Sequence, residues 1–116
     1  MGTTTDIISG INWVATHHGG SPAVASLSLI QGASTALDSA ATKLIGLGVT
    51  AVFAAGNFNA NANFYSPSRV ALGITVGATT IFDAKASYSN YGSVVDVWAP
   101  GTRRYLAVLK TISPVL

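Results

Sequence analysis

The sequence predicts an α/β fold: a parallel sheet of about four strands with flanking helices. Three observations predict it. Two segments carry apolar residues in stripes of helical period, residues 49–55 are apolar on both faces as a central parallel strand must be, and strand, helix and strand follow one another with short connections.

The first helix rests on Ile7, Ile8, Ile11, Val14 and Ala15, which share one face. Thr3-x-x-Asp6 ahead of it fits a capping box, with the Asp6 carboxylate near the positive end of the helix dipole. Gly19, Gly20 and Pro22 end it. Residues 23–30 are short, small and apolar, a buried strand. The second helix shows Leu37, Ala41, Leu44 and Ile45 as its stripe, Thr35-x-x-Asp38 as a second capping box, and Gly46 and Gly48 as its stop. The strand over 49–55 then runs parallel to the first, through a right-handed crossover. Residues 56–67 form a loop with Asn at 57, 59, 61 and 63. Further strands fall over 72–77 and 94–98, separated by turn and loop at 83–92, and Pro100-Gly101 marks a turn. Residues 103–116 have no assignable partner.

Composition narrows the function classes. The 116 residues suit one small domain, and 9% charged residues against about 25% in an ordinary soluble chain excludes charge-driven disorder. The net charge is +2, but it is unevenly placed. Over residues 1–102 three bases (Lys43, Arg69, Lys85) face four acids (Asp6, Asp38, Asp83, Asp96), leaving −1, whereas Arg103, Arg104 and Lys110 put +3 on the tail. A basic tail without a stripe or an aromatic platform argues against nucleic acid as a partner. With no cysteine there is no disulfide, thiolate metal site or cysteine nucleophile. No window approaches the roughly 18–20 apolar residues of a membrane span, and the first six residues lack the apolar core of a signal peptide.

In an open parallel sheet, ligands bind beyond the carboxyl ends of the strands. Residues 29–32 and 56–59 leave two adjacent strands there, which locates a site without naming its chemistry.

Ala54-Ala55-Gly56-Asn57 resembles the segment that carries the oxyanion-hole asparagine of subtilisin-like serine proteases, the subtilases (peptidase family S8). Its flanks are similar to the proteinase K branch, common in fungi: Val24-Ala25-Ser26-Leu27-Ser28-Leu29, Asn63-Phe64-Tyr65-Ser66-Pro67, Ile74-Thr75-Val76-Gly77-Ala78, Ala86-Ser87-Tyr88-Ser89-Asn90-Tyr91-Gly92, and Ala99-Pro100-Gly101-Thr102. The resemblance covers residues 2–102 and implies an internal fragment of a partial, subtilisin-like three-layer fold, with 103–116 a non-homologous tail. The family is typically secreted; this chain carries no signal peptide of its own.

The resemblance implies roles residue by residue. Asn57 matches the side-chain donor to the oxyanion of the tetrahedral intermediate; read from its residues alone, Gly56-Asn57 is equally a turn. Ser28 and Leu29 match the edge that pairs with an extended peptide or protein substrate, and Ala54, Ala55 and Gly56 match one wall of the pocket for the side chain preceding the scissile bond. Ile30 stands where the family usually has Gly and narrows that groove. Asp96, with the carbonyls of Ala71 and Gly73, matches a structural calcium site; by itself Asp96 is a strand-end carboxylate bonded to nearby N–H groups. Ser66-Pro67 matches a family position with a cis peptide bond.

Motifs resembling Asp-Thr-Gly, His-Gly-Thr-His and Gly-Thr-Ser-Met-Ala, which carry the family's Asp, His and Ser, do not occur. His17 and His18 read as solvent-exposed residues of a loop after the first helix. The expectation is therefore a fragment of a subtilisin-like serine endopeptidase that keeps the oxyanion donor and part of the groove but does not hydrolyse peptides alone. The alternatives are a catalytically dead peptide-binding module or a non-functional truncated gene product. A sheet of this size cut from a larger one is also expected to self-associate through its exposed edges.

Overall fold

The structure is a computed structural model that describes residues 2–102; the tail beyond Thr102, and with it the boundary expected at 103, lies outside the described residues. The elements are α1 (Thr4–His17), β1 (Ala23–Leu27), β2 (Gln31–Gly32), α2 (Thr35–Gly46), β3 (Val49–Ala54), a 3₁₀ turn over Ala62–Phe64, β4 (Tyr65–Ser66), β5 (Ile74–Thr79) and β6 (Val97–Pro100).

β1, β3, β5 and β6 form a four-stranded sheet in the order β1-β3-β5-β6, every pair parallel. The register sets Leu27 beside Phe53, Ala54 beside Val76, and Ala78 beside Ala99. β3 and β5 are interior; β1 and β6 are edges. Pro100, which has no N–H to offer a neighbour, ends the edge strand β6, where it costs no ladder bond. β2 and β4 make a separate antiparallel pair, Gln31 with Ser66 and Gly32 with Tyr65. The Ser66–Pro67 peptide is cis.

Both helices cover one face. Ile11 and Ala15 of α1 and Leu37, Ala40 and Leu44 of α2 pack with Val49, and Ala23, Ala25 and Leu27 close on the same cluster. A second cluster joins Ala41 to Ala51, Phe53 and Val70. Helices of this length are marginal alone, and α1 carries Gly10 and two N-terminal threonines, so burial rather than propensity holds it. Each fully buried Leu or Phe contributes about 1.5–3 kcal/mol. On the opposite face Val24, Ser26 and Thr50 are exposed and Val52 is half-buried, so among the described residues one helical layer and the sheet are present.

Several sequence expectations are adjusted. The capping box at Thr3 forms: Thr3 Oγ1 accepts from the Asp6 N–H at 3.1 Å and Asp6 Oδ2 from the Thr3 N–H at 3.4 Å. The one assigned to Thr35 does not. Ser34 is the N-cap of α2, accepting from the Leu37 N–H at 3.2 Å, because its backbone is still extended while Thr35 is already helical. Asp38 is thereby placed to accept from Arg69 Nε at 2.6 Å. The first strand stops at Leu27, three residues short of Ile30, since beyond Phe53 its neighbour turns to β5 and the Ala55 N–H donates to the Val76 carbonyl at 2.9 Å. Two other strands start late: the Gly73 N–H still closes a turn onto the Val70 carbonyl, and the Val95 N–H closes one onto Gly92. Pro100 belongs to β6 rather than to a turn. His17 is the last residue of α1, not a loop residue, and stacks on Trp13 with ring centroids 4.3 Å apart.

Candidate functional site

β1 and β3 run in the same direction, so the segments leaving their carboxyl ends lie side by side. Two clefts meet there. The first, about 470 Å³, is walled by the ends of all four sheet strands and includes Ser28, Ala54, Ala55, Gly56 and Asn57. The second, about 520 Å³, runs past Ser28, Leu29, Ile30, Gly56, Asn57 and Phe58. Ser28, Ala54, Gly56 and Asn57 line both.

The wall between the clefts is built by a change of backbone direction. Gly56 has φ +108°, a region that L side chains rarely adopt, and the position of a Cβ there is taken by the Ile30 Cδ1 and by Asn90 Nδ2. The turn puts Asn57 at the surface, and among the described residues its carboxamide has no hydrogen-bond partner. An exposed amide NH₂ at a strand's carboxyl end can donate to an anion or a developing oxyanion without first giving up an internal bond.

Buried polar groups support this wall. Ser68, fully buried, donates from Oγ to the Ala54 carbonyl at 2.8 Å, and its own carbonyl accepts from Thr75 Oγ1 at 2.6 Å. Asn90, also fully buried, donates from Nδ2 to the Ala55 carbonyl at 2.9 Å and accepts at Oδ1 from the N–H groups of Phe58 (2.9 Å) and Ala60 (3.0 Å). Its backbone N–H reaches the Gly56 carbonyl at 2.8 Å. Sequence reasoning assigns Asn90 only to a loop. Its local pattern, Ser-Asn between two tyrosines, has the composition of an exposed turn, and its partners lie about 30 residues upstream.

The residues singled out for calcium lie away from the clefts. Asp96 is exposed; its Oδ2 accepts from the Thr75 N–H at 2.7 Å, and its own N–H donates to the Thr75 carbonyl at 2.8 Å. Thr75 is two residues beyond Gly73 and four beyond Ala71, both of which sit in the approach to β5. Among the described residues no group of three or more His, Cys, Asp or Glu is close enough to hold a metal through side chains alone.

Neither histidine approaches the clefts. His17 Nδ1 lies 2.8 Å from the Trp13 carbonyl oxygen and 2.8 Å from Thr16 Oγ1, and His18 Nδ1 lies 3.3 Å from the Ser21 carbonyl oxygen. Among the described residues neither is hydrogen-bonded to an aspartate.

Comparison with known proteins is consistent with this geometry. The profile of the subtilase family, peptidase S8, matches residues 1–114. The alkaline serine exoprotease A of Vibrio alginolyticus is 53% identical over 102 residues, covering 88% of this chain and 19% of that protein. The extracellular serine proteinase of Thermus sp. (strain Rt41A) is 54% identical over 100 residues, covering 86% and 24%. Proteinase R of Parengyodontium album, a third relative, is 45% identical over 105 residues, covering 87% and 27%. The crystal structure of a cold adapted subtilisin-like serine proteinase superposes with a TM-score of 0.86 at 52% identity, over 89% of this chain and 37% of the other. The chain thus spans about a fifth to a quarter of the length of these curated relatives.

Proposed function

The chain belongs to the subtilase family, and from that premise we propose that it is a segment of a subtilisin-like serine endopeptidase that supplies the oxyanion donor and part of the peptide groove, while itself carrying no catalytic triad. The observation that supports this best is Asn57: an exposed carboxamide with no hydrogen-bond partner among the described residues, set on the wall shared by two clefts at the carboxyl ends of β1 and β3.

In this reading, a substrate peptide lies extended along Ser28 and Leu29, whose backbone beyond the end of β1 is not paired with β3. Ala54, Ala55 and Gly56 flank the side chain that precedes the scissile bond, the small residues leaving it room. As a serine from elsewhere in the parent protease attacks the carbonyl carbon, negative charge moves onto the carbonyl oxygen, and Asn57 Nδ2 donates to it. The Asn57 amide is neutral, so it stabilises the developing charge without changing its own protonation state.

The calcium expectation fits the donor chemistry around Asp96. One carboxylate oxygen is held by the Thr75 N–H and the other is left for a hard cation, with the Ala71 and Gly73 carbonyls supplying further oxygens. A bound calcium ion would tie the approach to β5 to the start of β6.

Two experiments test the reading. A serine-directed fluorophosphonate should leave the 116-residue chain unlabelled; specific labelling would refute the missing triad. Grafting residues 2–102 into the Vibrio alginolyticus relative in place of the aligned segment should give an active protease, and Asn57→Ala in that graft should lower kcat about 10²–10³-fold with little change in KM, a magnitude itself measured on subtilisin. An unchanged kcat would sink the oxyanion role. Saturable binding of an extended peptide to the isolated chain, lost on substitution of Leu29 or Gly56, would favour a peptide-binding module instead.

A further inference from the structure

We propose that Asn90 is the positioning residue for Asn57: a single buried carboxamide and its own backbone N–H hold the peptide planes on both sides of the Asn57 Cα. The proposal rests on reading Asn57 as the oxyanion donor.

The Asn57 side chain is not held by a hydrogen bond of its own among the described residues, so its direction is set by its backbone. That backbone crosses a region of unusual dihedrals, with φ +108° at Gly56 and +47° at Asn59. The peptide plane before Asn57 is fixed through the Gly56 carbonyl, which accepts from the Asn90 N–H at 2.8 Å. The plane after it is fixed through the Phe58 N–H, which donates to Asn90 Oδ1 at 2.9 Å. Asn90 reaches further on each side, to the Ala55 carbonyl at 2.9 Å and the Ala60 N–H at 3.0 Å. Asn57 is therefore bracketed in space by one residue 33 positions later in the chain.

The chemistry selects asparagine. The site needs an acceptor oxygen with two lone pairs and a donor on the same short side chain. Aspartate keeps the acceptor and loses the donor, and alanine loses both. Asn90 is itself fixed from behind: its carbonyl accepts from Ser89 Oγ at 2.9 Å, and the same hydroxyl accepts from the Ala78 N–H of β5 at 3.0 Å. The loop is thereby keyed to the sheet. Oxyanion stabilisation needs the donor aimed before charge develops, and a displacement near 1 Å can cost about a hundredfold in rate.

Amide hydrogen exchange on the full chain tests this, with the Asn57 side-chain NH₂ resonances followed in the same samples. In Asn90→Ala the Phe58 and Ala60 amides should exchange at least about tenfold faster, and the Asn57 NH₂ pair should shift or broaden, while amides of β3 and α2 stay within about twofold of the parent chain. Asn90→Asp should restore protection at Phe58 and Ala60, because a carboxylate accepts both bonds. Unchanged exchange at Phe58 and Ala60, equal acceleration throughout β3 and α2, or no rescue by Asn90→Asp would each overturn the proposal. If Asn90→Ala does not fold, Asn90→Asp decides it alone: retained protection at Phe58 with a shifted Asn57 NH₂ pair supports it, and lost protection overturns it. Asn57→Ala should leave loop exchange unchanged, so a failed oxyanion role, read from kcat of the graft, is separable from a failed clamp.

Discussion

The Cδ1 of Ile30 occupies the space that a Cβ on Gly56 would need. The two residues lie 26 positions apart, and their contact closes the wall between the clefts. The Ile30 methyl can swing aside; Asn90 Nδ2, 2.5 Å from the same point, cannot move without releasing the Ala55 carbonyl. Gly56→Ala is therefore expected to cost about 2–4 kcal/mol, from backbone strain at positive φ and forced displacement. Urea unfolding measures it. Trimming Ile30 to Val in the Gly56→Ala background should recover little of the loss, and full recovery would mean that Ile30 alone sets the constraint.

The cap of α2 gives a paired test. Ser34→Ala removes the acceptor of the Leu37 N–H and should cost about 1 kcal/mol. Thr35→Ala, one residue later, should stay within about 0.5 kcal/mol. Thermal melts of the two variants in parallel check the order, and the reverse order would restore the cap to Thr35.

Arg69 and Asp38 join the segment after β4 to α2, with Nε to Oδ2 at 2.6 Å and side chains 30% and 20% exposed. Asp38 Oδ1 is buried with no partner among the described residues, so removing the arginine leaves a half-buried carboxylate short of donors. Arg69→Ala should destabilise by about 1–2 kcal/mol, discounted for solvent screening of a partly exposed pair. A double-mutant cycle with Asp38→Asn reads the coupling, and a coupling near zero would reduce the contact to an ordinary surface pair.

Calcium should raise the melting temperature of the chain. Asp96→Asn should remove the response while leaving the fold intact, since the amide oxygen of the substituted side chain can still accept from the Thr75 N–H. At a calcium concentration ten times Kd the gain is about 1.4 kcal/mol. Titration with calcium and then with a chelator measures it. An identical rise in Asp96→Asn would move the site elsewhere, and no rise in the parent chain would remove it.

Self-association is expected along the uncovered parts of the sheet. β1 and β6 are both edges, and Val24 (71% exposed), Val97 and Trp98 present apolar surface there. Val24→Lys should shift sedimentation velocity profiles toward the monomer; a parent chain that is already monomeric at all concentrations would contradict this.

Much of the architecture is readable in the sequence because it follows from local periodicity. The stripe through Ile7, Ile11, Val14 and Ala15 and the doubly apolar run at Val49 can be buried in only one way each, and a short strand–helix–strand order makes the flanking strands parallel. The Thr3 box is equally local, closing within three residues. The errors arise where two local solutions compete. Ser34 and Thr35 both suit an N-cap, and the backbone entering α2 decides between them. Residues 28–30 look like strand, and only the divergence of β3 toward β5 ends their pairing.

The candidate site divides in the same way. The helices, the parallel order around β3, and the motif that places Asn57 at a strand's carboxyl end follow from residue order, because each is encoded within a few neighbouring residues. Only the folded chain brings Ile30 to Gly56, Arg69 to Asp38, and Asn90 to both sides of Asn57. These contacts join positions 26 to 33 residues apart, and local composition carries no information about them. Their geometry exists only once the sheet has brought the loops at its carboxyl edge together.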